Sequence, residues 1–238
     1  YPSHRLRVGD RQRSDAEERR QLRKTLSIII ALLAFVSSVQ AALIPELALT
    51  NPTEDGYINQ NVTPPTTYVR TSGANYLESF AGPDGGNDTR RAYVEWPISA
   101  IPNNSTVISV SLTLTAYNVA NKAAQIRGLA NRPSVSSDVQ VFSDVVTGTL
   151  YGTLPAALQN AQTTLDLGAQ GAIDLQGKLA GDWFALGVYQ SADSTPMQWY
   201  SEEGTALTVR KPTLTARYSY NCLLYTSPSP RDKRQSRM

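Results

Sequence analysis

Between Val107 and Tyr117 the chain reads VISVSLTLTAY, and its side chains alternate without a break. Ile108, Val110, Leu112, Leu114 and Ala116 fall on one side, and Ser109, Ser111, Thr113 and Thr115 on the other. A period of two belongs to an extended strand with one covered face and one wet face. Such a strand needs strand partners and a second apolar layer over its covered side. The stretch Gly181–Tyr220 offers both. Trp183–Gln190 sets Phe184, Leu186 and Val188 against Trp183, Ala185, Gly187 and Tyr189, apolar on both faces as in a central strand. Met197–Ser201 is a short aromatic strand, and Thr213–Tyr220 alternates Leu214, Ala216 and Tyr218 or Tyr220 with Thr, Arg and Ser. Pro212 stands just ahead of that last strand, where its missing N–H costs no ladder bond.

The rest of the chain reads as further short strands separated by turn residues. Strands are expected around Leu47–Thr50, at Tyr57-Ile58, over Thr66–Thr71 with a continuation across Asn75–Ala81, and over Arg90–Ile98. In Arg90–Ile98, Ala92, Val94 and Trp96 share one face, and Tyr93 and Glu95 the other. Gln125–Ala130 and Val139–Ser143 are shorter candidates, and Thr163–Leu167 and Ala172–Leu175 are strand-like. Pro155–Ala161 could make a helical turn with proline at its first position. Glu54-Asp55-Gly56 and Gly82–Asn87 read as turns. Frequent short strands with Gly and Pro punctuation and little helical period predict an all-β, antiparallel β-sandwich.

The two ends differ from this pattern. Residues 1–24 are polar and basic, a leader with the look of a non-native start. Residues 25–41, TLSIIIALLAFVSSVQA, follow Arg19, Arg20, Arg23 and Lys24 and close on small residues. That order of basic, apolar and small residues is a secretory signal, with cleavage expected after Ala41. The apolar run is shorter than the ~20 residues that cross a bilayer comfortably, so no membrane span is expected in the mature chain. At the other end Cys222–Asp232 reads CLLYTSPSPRD, which resembles the in-frame translation of a transposase adaptor used in sequencing libraries. Residues 222–238 are therefore read as an artefactual tail, and 42–221 as one β-sandwich domain.

The ends also carry the chain's basic excess. The whole sequence has a formal net charge of +2, but Ala42–Asn221 holds ten Lys and Arg against fifteen Asp and Glu, a net charge of about −5. No nucleic-acid partner is expected. The only cysteine, Cys222, and the only histidine, His4, both lie outside the domain. Disulfides, thiolate nucleophiles, Ser-His-Asp chemistry and imidazole metal ligands are thereby excluded from it.

Three patches occur in order along the domain. Arg90-Arg91-Ala92-Tyr93-Val94-Glu95-Trp96 leads into Ile101–Val107; Ser109–Tyr117 follows; and Trp199-Tyr200-Ser201-Glu202-Glu203-Gly204 comes with Lys211–Tyr218. Together they resemble the DNRLRE-type domain, which is related to the disaggregatase repeat and to carbohydrate-binding modules. The middle departs from it: where that family often shows a Trp-containing segment, this chain has DVQVFSDVVTGTLY. The resemblance implies a jelly-roll arrangement of the sandwich, an extracellular location and, in some members, polysaccharide binding.

A sugar-binding face sets aromatic rings beside polar groups, because the CH-rich face of a sugar stacks on a ring while its hydroxyls need directional partners. The candidates are Trp96, Trp183, Trp199, Tyr200, Tyr76 and Tyr189. Trp199 and Tyr200 are adjacent in a strand and must point oppositely, so one of them turns outward. Arg90 and Arg91 could hold an acidic sugar by charge-assisted bonds. Glu202 sits at the rim of the same stretch, and Glu202, Glu203 and Glu95 are the carboxylates a glycosidase would have to pair across ~5–9.5 Å. Adjacent strand residues diverge, so catalysis is not expected. The oxygen-rich turns at Asp84, Asn87 and Asp88 and at Asp55 suit a structural calcium ion. The expected role is a secreted, non-catalytic module that binds polysaccharide or a cell-surface glycan. A structural surface protein that self-associates through its sandwich faces is the alternative, and a carboxylate-based polysaccharide-cleaving enzyme the third reading.

Overall fold

A computed structural model describes residues 44–63, 66–79, 88–118, 123–190, 196–204 and 208–220. The signal-like segment 25–41, the leader before it, the tail 222–238 and the calcium candidates Asp84 and Asn87 lie outside the described residues. Among the described residues there are twelve strands: β1 (Glu46–Leu49), β2 (Glu54–Asn61), β3 (Thr67–Ser72), β4 (Tyr76–Ser79), β5 (Asp88–Pro97), β6 (Ser105–Asn118), β7 (Ala124–Gly128), β8 (Leu150–Leu154), β9 (Gln162–Asp166), β10 (Trp183–Tyr189), β11 (Met197–Tyr200) and β12 (Thr213–Tyr220). Two helices interrupt them, α1 (Asp138–Thr147) and α2 (Gly168–Lys178).

All pairings are antiparallel and form two sheets. The first runs β1-β12-β6-β11-β4, with β9 also on β6; the second runs β3-β2-β5-β10-β7-β8. The alternating strand found in the sequence is β6, and it organises the first sheet. It pairs with β12 over Ser105–Thr113, with β9 over Ser111–Thr115, and with β11 at Ala116 and Asn118. Val110, Leu112, Leu114 and Ala116 point inward and meet Ala92, Val94 and Trp96 of β5, Ile126 of β7 and Leu186 and Val188 of β10. One core thus lies between the sheets, as expected of an all-β sandwich.

Ile108 is the exception to the alternation. Opposite it, β12 steps directly from Arg217, paired with Ser109, to Tyr218, paired with Val107. Ile108 is the extra residue of a β-bulge, and it is 43% exposed while Val107 takes the inward place. A bulge inserts one residue and reverses the phase beyond it, which alternation alone does not reveal.

The second sheet is covered on both faces. Its outer side carries Ile58, Tyr93 and Ala185, which pack under Val141, Phe142 and Val145 of α1 together with Leu129. The segment expected as a strand at Val139–Ser143 is therefore a helix. Three links hold it in place. Arg70 Nε donates to Asp138 Oδ1 at 2.8 Å, Nη2 to the carbonyl of Ser136 at 2.9 Å, and Nη1 to Glu54 Oε1 at 3.0 Å and to the Pro133 carbonyl. Glu95, wholly buried, accepts from Arg132 Nε at 2.8 Å and from Ser134 N and Oγ. Asp144 Oδ2 accepts from Asn131 N and Nδ2. Ala172–Leu175 is likewise helical, within α2, whose Ala172 and Leu175 join the main core. Pro155–Ala161 forms no helix. Glu54-Asp55-Gly56 belongs to β2 rather than to a turn, and the Asn75–Ala81 region yields β4, a separate strand on β11.

Gly187 lets α1 approach β10. A Cβ there would lie 2.9–3.1 Å from Val145 side-chain and backbone atoms. Gly187→Val should push the helix off the sheet and lower stability by about 1–3 kcal/mol, the usual cost of overpacking. Chemical unfolding of the two proteins would show the loss as an earlier midpoint with an unchanged slope.

Candidate functional site

Strand alternation and a second bulge gather three tyrosines on the outer face of the first sheet. On β11, Trp199 points inward and joins the core at 4% exposure, so Tyr200 is the member of the pair that turns outward. Tyr200 is paired across the ladder with Tyr76 of β4. Gln198 and Trp199 oppose Asn118 and Ala116, which leaves Tyr117 as the unpaired residue of the bulge. The rings of Tyr76 and Tyr117 stack at 4.1 Å with 20° between their planes. Tyr117 meets Tyr200 edge-on at 5.4 Å, and Tyr76 lies 6.3 Å from Tyr200. Tyr76 and Tyr117 are half-buried, while Tyr200 is nearly covered beneath them.

Polar groups border these rings. Tyr200 Oη donates to Asn160 Oδ1 at 3.1 Å and lies 3.3 Å from Arg210 Nη1, whose guanidinium stands 5.3 Å from the Tyr200 ring centre. Asn160 has φ 63°, a left-handed conformation that asparagine tolerates better than most residues, and its N–H donates to Ala116 O at 2.7 Å. That bond ties the loop before β9 to β6 and aims the amide at Tyr200. Tyr76 has its hydroxyl pKa raised, first by the hydrogen bond to Tyr117 and then by burial. An aromatic surface edged by an amide and a guanidinium can stack against the apolar face of a ring-shaped ligand and bind its hydroxyls.

The other expected residues are dispersed. Tyr189 ends β10 on the outer face of the second sheet, with the guanidinium groups of Arg91 and Arg127 5.7 and 5.9 Å from its ring. Arg91 also lies 3.6 Å over Phe142 and donates to its carbonyl, and burial brings its pKa down to about 10. Arg90 points elsewhere: Nη1 binds Glu78 Oε2 at 2.6 Å and the guanidinium lies over Tyr57. Gln198 Nε2 reaches the other oxygen of Glu78. Asp88 accepts from Asn59 Nδ2 at 3.2 Å.

Glu202 and Asp55 meet at a corner between β11 and β2. Glu202 N donates to Asp55 Oδ2 at 2.8 Å, and the Glu202 carboxylate pairs with Lys211 Nζ at 3.0 Å. Glu95 takes no part in this corner: it lies opposite Glu54 in the β2–β5 ladder, whereas Asp55 lies opposite the inward-facing Val94. Among the described residues no group of three or more Asp, Glu, His or Cys side chains is placed to hold a metal ion.

Asp55 is 2% exposed, and its Oδ1 has no hydrogen-bond donor. Burial, reinforced by the Glu203 carboxylate beside it, pushes its pKa up to about 8 against the opposing hydrogen bond from Glu202 N–H. The unfolded chain loses this proton near pH 4 and the folded protein near pH 8, so the folded state holds the extra proton between. This group therefore destabilises the fold progressively as pH rises through that window, and the effect is flat above it. Asp55→Asn mimics the protonated acid. Thermal unfolding of both proteins from about pH 5 to about pH 9 should show the variant gaining on the wild type as pH rises, with Glu202, Glu203 and Lys211 as the charged groups facing the position. A constant difference across the range would contradict this assignment. Compared with models of known protein families and with curated protein sequences, the chain matches none.

Proposed function

We propose that the protein is a non-catalytic carbohydrate-binding module of the secreted or cell-surface kind, with Tyr76, Tyr117 and Tyr200 as its binding platform. The observation that carries this reading is the stacked, half-exposed Tyr76–Tyr117 pair, edged by Asn160 and Arg210. A cluster of partly exposed rings on a protein surface marks an interaction site. Sugars suit such a surface because they offer apolar CH faces and hydroxyls in one small unit. The secretory-type segment at 25–41 and the resemblance to DNRLRE-type domains, with the jelly-roll order that family implies, support the same reading. Among the described residues no helix is long and apolar enough to cross a membrane.

The glycosidase alternative gains no support from the carboxylates weighed for it. Glu95 is sealed under the Pro133–Val135 turn, and Glu202 is neutralised by Lys211.

Affinity electrophoresis against a panel of neutral and acidic polysaccharides, with and without calcium, tests the proposal. At least one polysaccharide should retard the protein. Tyr117→Ala should weaken that retardation at least several-fold, since stacking on one aromatic ring contributes about 1 kcal/mol or more. The circular dichroism of the variant should remain that of the wild type. Retention by Tyr117→Ala and Tyr76→Ala equal to wild type would rule out the platform.

A further inference from the structure

A cleft of about 610 Å³, lined by none of these three tyrosines, opens between α2, the antiparallel β7–β8 pair and the start of β10. Its apolar lining comes from Leu129, Ile173 and Phe184, and its polar groups include Tyr151, Asp174 and Lys178 beside Thr147 and Thr149. That volume is within the range of small-molecule pockets, which combine an apolar lining with a few convergent polar groups.

The polar groups are fixed. Tyr151 Oη donates to Asp174 Oδ2 at 2.7 Å, and Gln170 Nε2 donates to Asp174 Oδ1 at 2.8 Å. Lys178 Nζ donates to the Ala130 carbonyl at 3.1 Å and stands 3.7 Å from the centre of the Trp183 ring. Asp174 and Lys178 are one helical turn apart on the same face of α2. They form no ion pair with each other, because each is held by other partners. Partial burial lowers the Lys178 pKa and raises that of Tyr151.

The backbone around the cleft is kept bare. A Cβ on Gly128 would lie 2.3 Å from Tyr151 Oη, so glycine there lets the tyrosine reach Asp174. Gly177 faces open space with nothing within 4 Å of a Cβ, although alanine would be about 1 kcal/mol better in a helix.

We infer that this cleft is a second carbohydrate site, shaped for a single neutral sugar unit or a chain end. A carboxylate that accepts and an ammonium that donates, one turn apart, match two neighbouring hydroxyls of one sugar ring. Leu129, Ile173 and Phe184 would take its CH face. Because Asp174 and Lys178 cancel, the cleft favours an uncharged ligand over an anion or a cation. The inference rests on the carbohydrate reading above but uses none of the platform residues. It divides the work: an aromatic platform for the side of a chain and a cleft for one unit.

Saturation-transfer NMR and calorimetry with glucose, galactose, mannose, xylose, N-acetylglucosamine and their β-linked disaccharides test it on the full chain. At least one of these neutral probes should bind. Gly177→Met, which adds a side chain at the cleft wall where a Cβ meets nothing within 4 Å, should weaken that probe at least tenfold, as should Lys178→Met. Tyr117→Ala should leave it unchanged. Binding of no neutral probe overturns the inference, as does equal binding by Gly177→Met, or a preference for glycine or glucuronate over every neutral probe. Polysaccharide retention lost in Tyr117→Ala but kept in Gly177→Met, with no neutral probe bound, would leave the platform standing and remove the cleft.

Discussion

The covered face of β6 sets the terms for everything around it. A strand of 14 residues that turns Val110, Leu112, Leu114 and Ala116 to one side cannot leave them in water. Burying four such side chains stabilises the fold by several kcal/mol, at roughly 25 cal/mol per Å² of apolar surface. The layer that covers them is the second sheet, through β5, β10 and β7. On their other face β5 and β10 carry Tyr93 and Ala185 beside the charged Arg91 and Glu95, and that face must be covered in turn. Helix α1 is the consequence. It exists as a lid over Ile58, Tyr93 and Ala185, and Gly187 allows it to sit close to the sheet.

The sheets were legible in the sequence because strand alternation is local. The two helices were not, although each left a signal. Val139 and Val141 read as alternation, but the buried residues are Val141, Phe142 and Val145, spaced as one helical face. Ser137 and Gln140 stand in capping-box spacing just before that face, and Gln140 Oε1 does accept from Ser137 N and Oγ. Along α2 and the residues that cap it, Leu167, Gly171, Leu175 and Leu179 recur every four residues. The glycines at 168, 171 and 177 depress helix propensity enough to hide that period. Burial against the core then outweighed propensity, as packing commonly does.

The candidate site shows a different limit. That only one of Trp199 and Tyr200 could face outward followed from alternation, and the structure turns Tyr200 outward. That Tyr76 would lie across from it depended on β4 joining β11, a contact between segments more than a hundred residues apart. Tyr117 was hidden further, since only the bulge near the end of β6 frees it from the ladder. Trp199 fails as a surface ring for a simple reason: it is opposite Ala116, whose small side chain leaves room for an indole in the core.

A platform built this way is pre-organised. Each of its rings rises from a strand whose neighbouring side chains, Leu77, Ala116 and Trp199, are locked in the core. Asn160 adds a backbone bond to Ala116 and a side-chain bond to Tyr200, so the polar edge is anchored to the same strand as the aromatic surface. Ordering free side chains on binding costs about 0.5–1.5 kcal/mol each. Rings already stacked on one another avoid most of that cost. Under the proposed function, weak individual contacts with a sugar would sum to useful retention along a chain, through repeated units rather than one tight pocket. The bulge at Tyr117 therefore has a role that the bulge at Ile108 lacks: it turns an edge irregularity into the central ring of the surface.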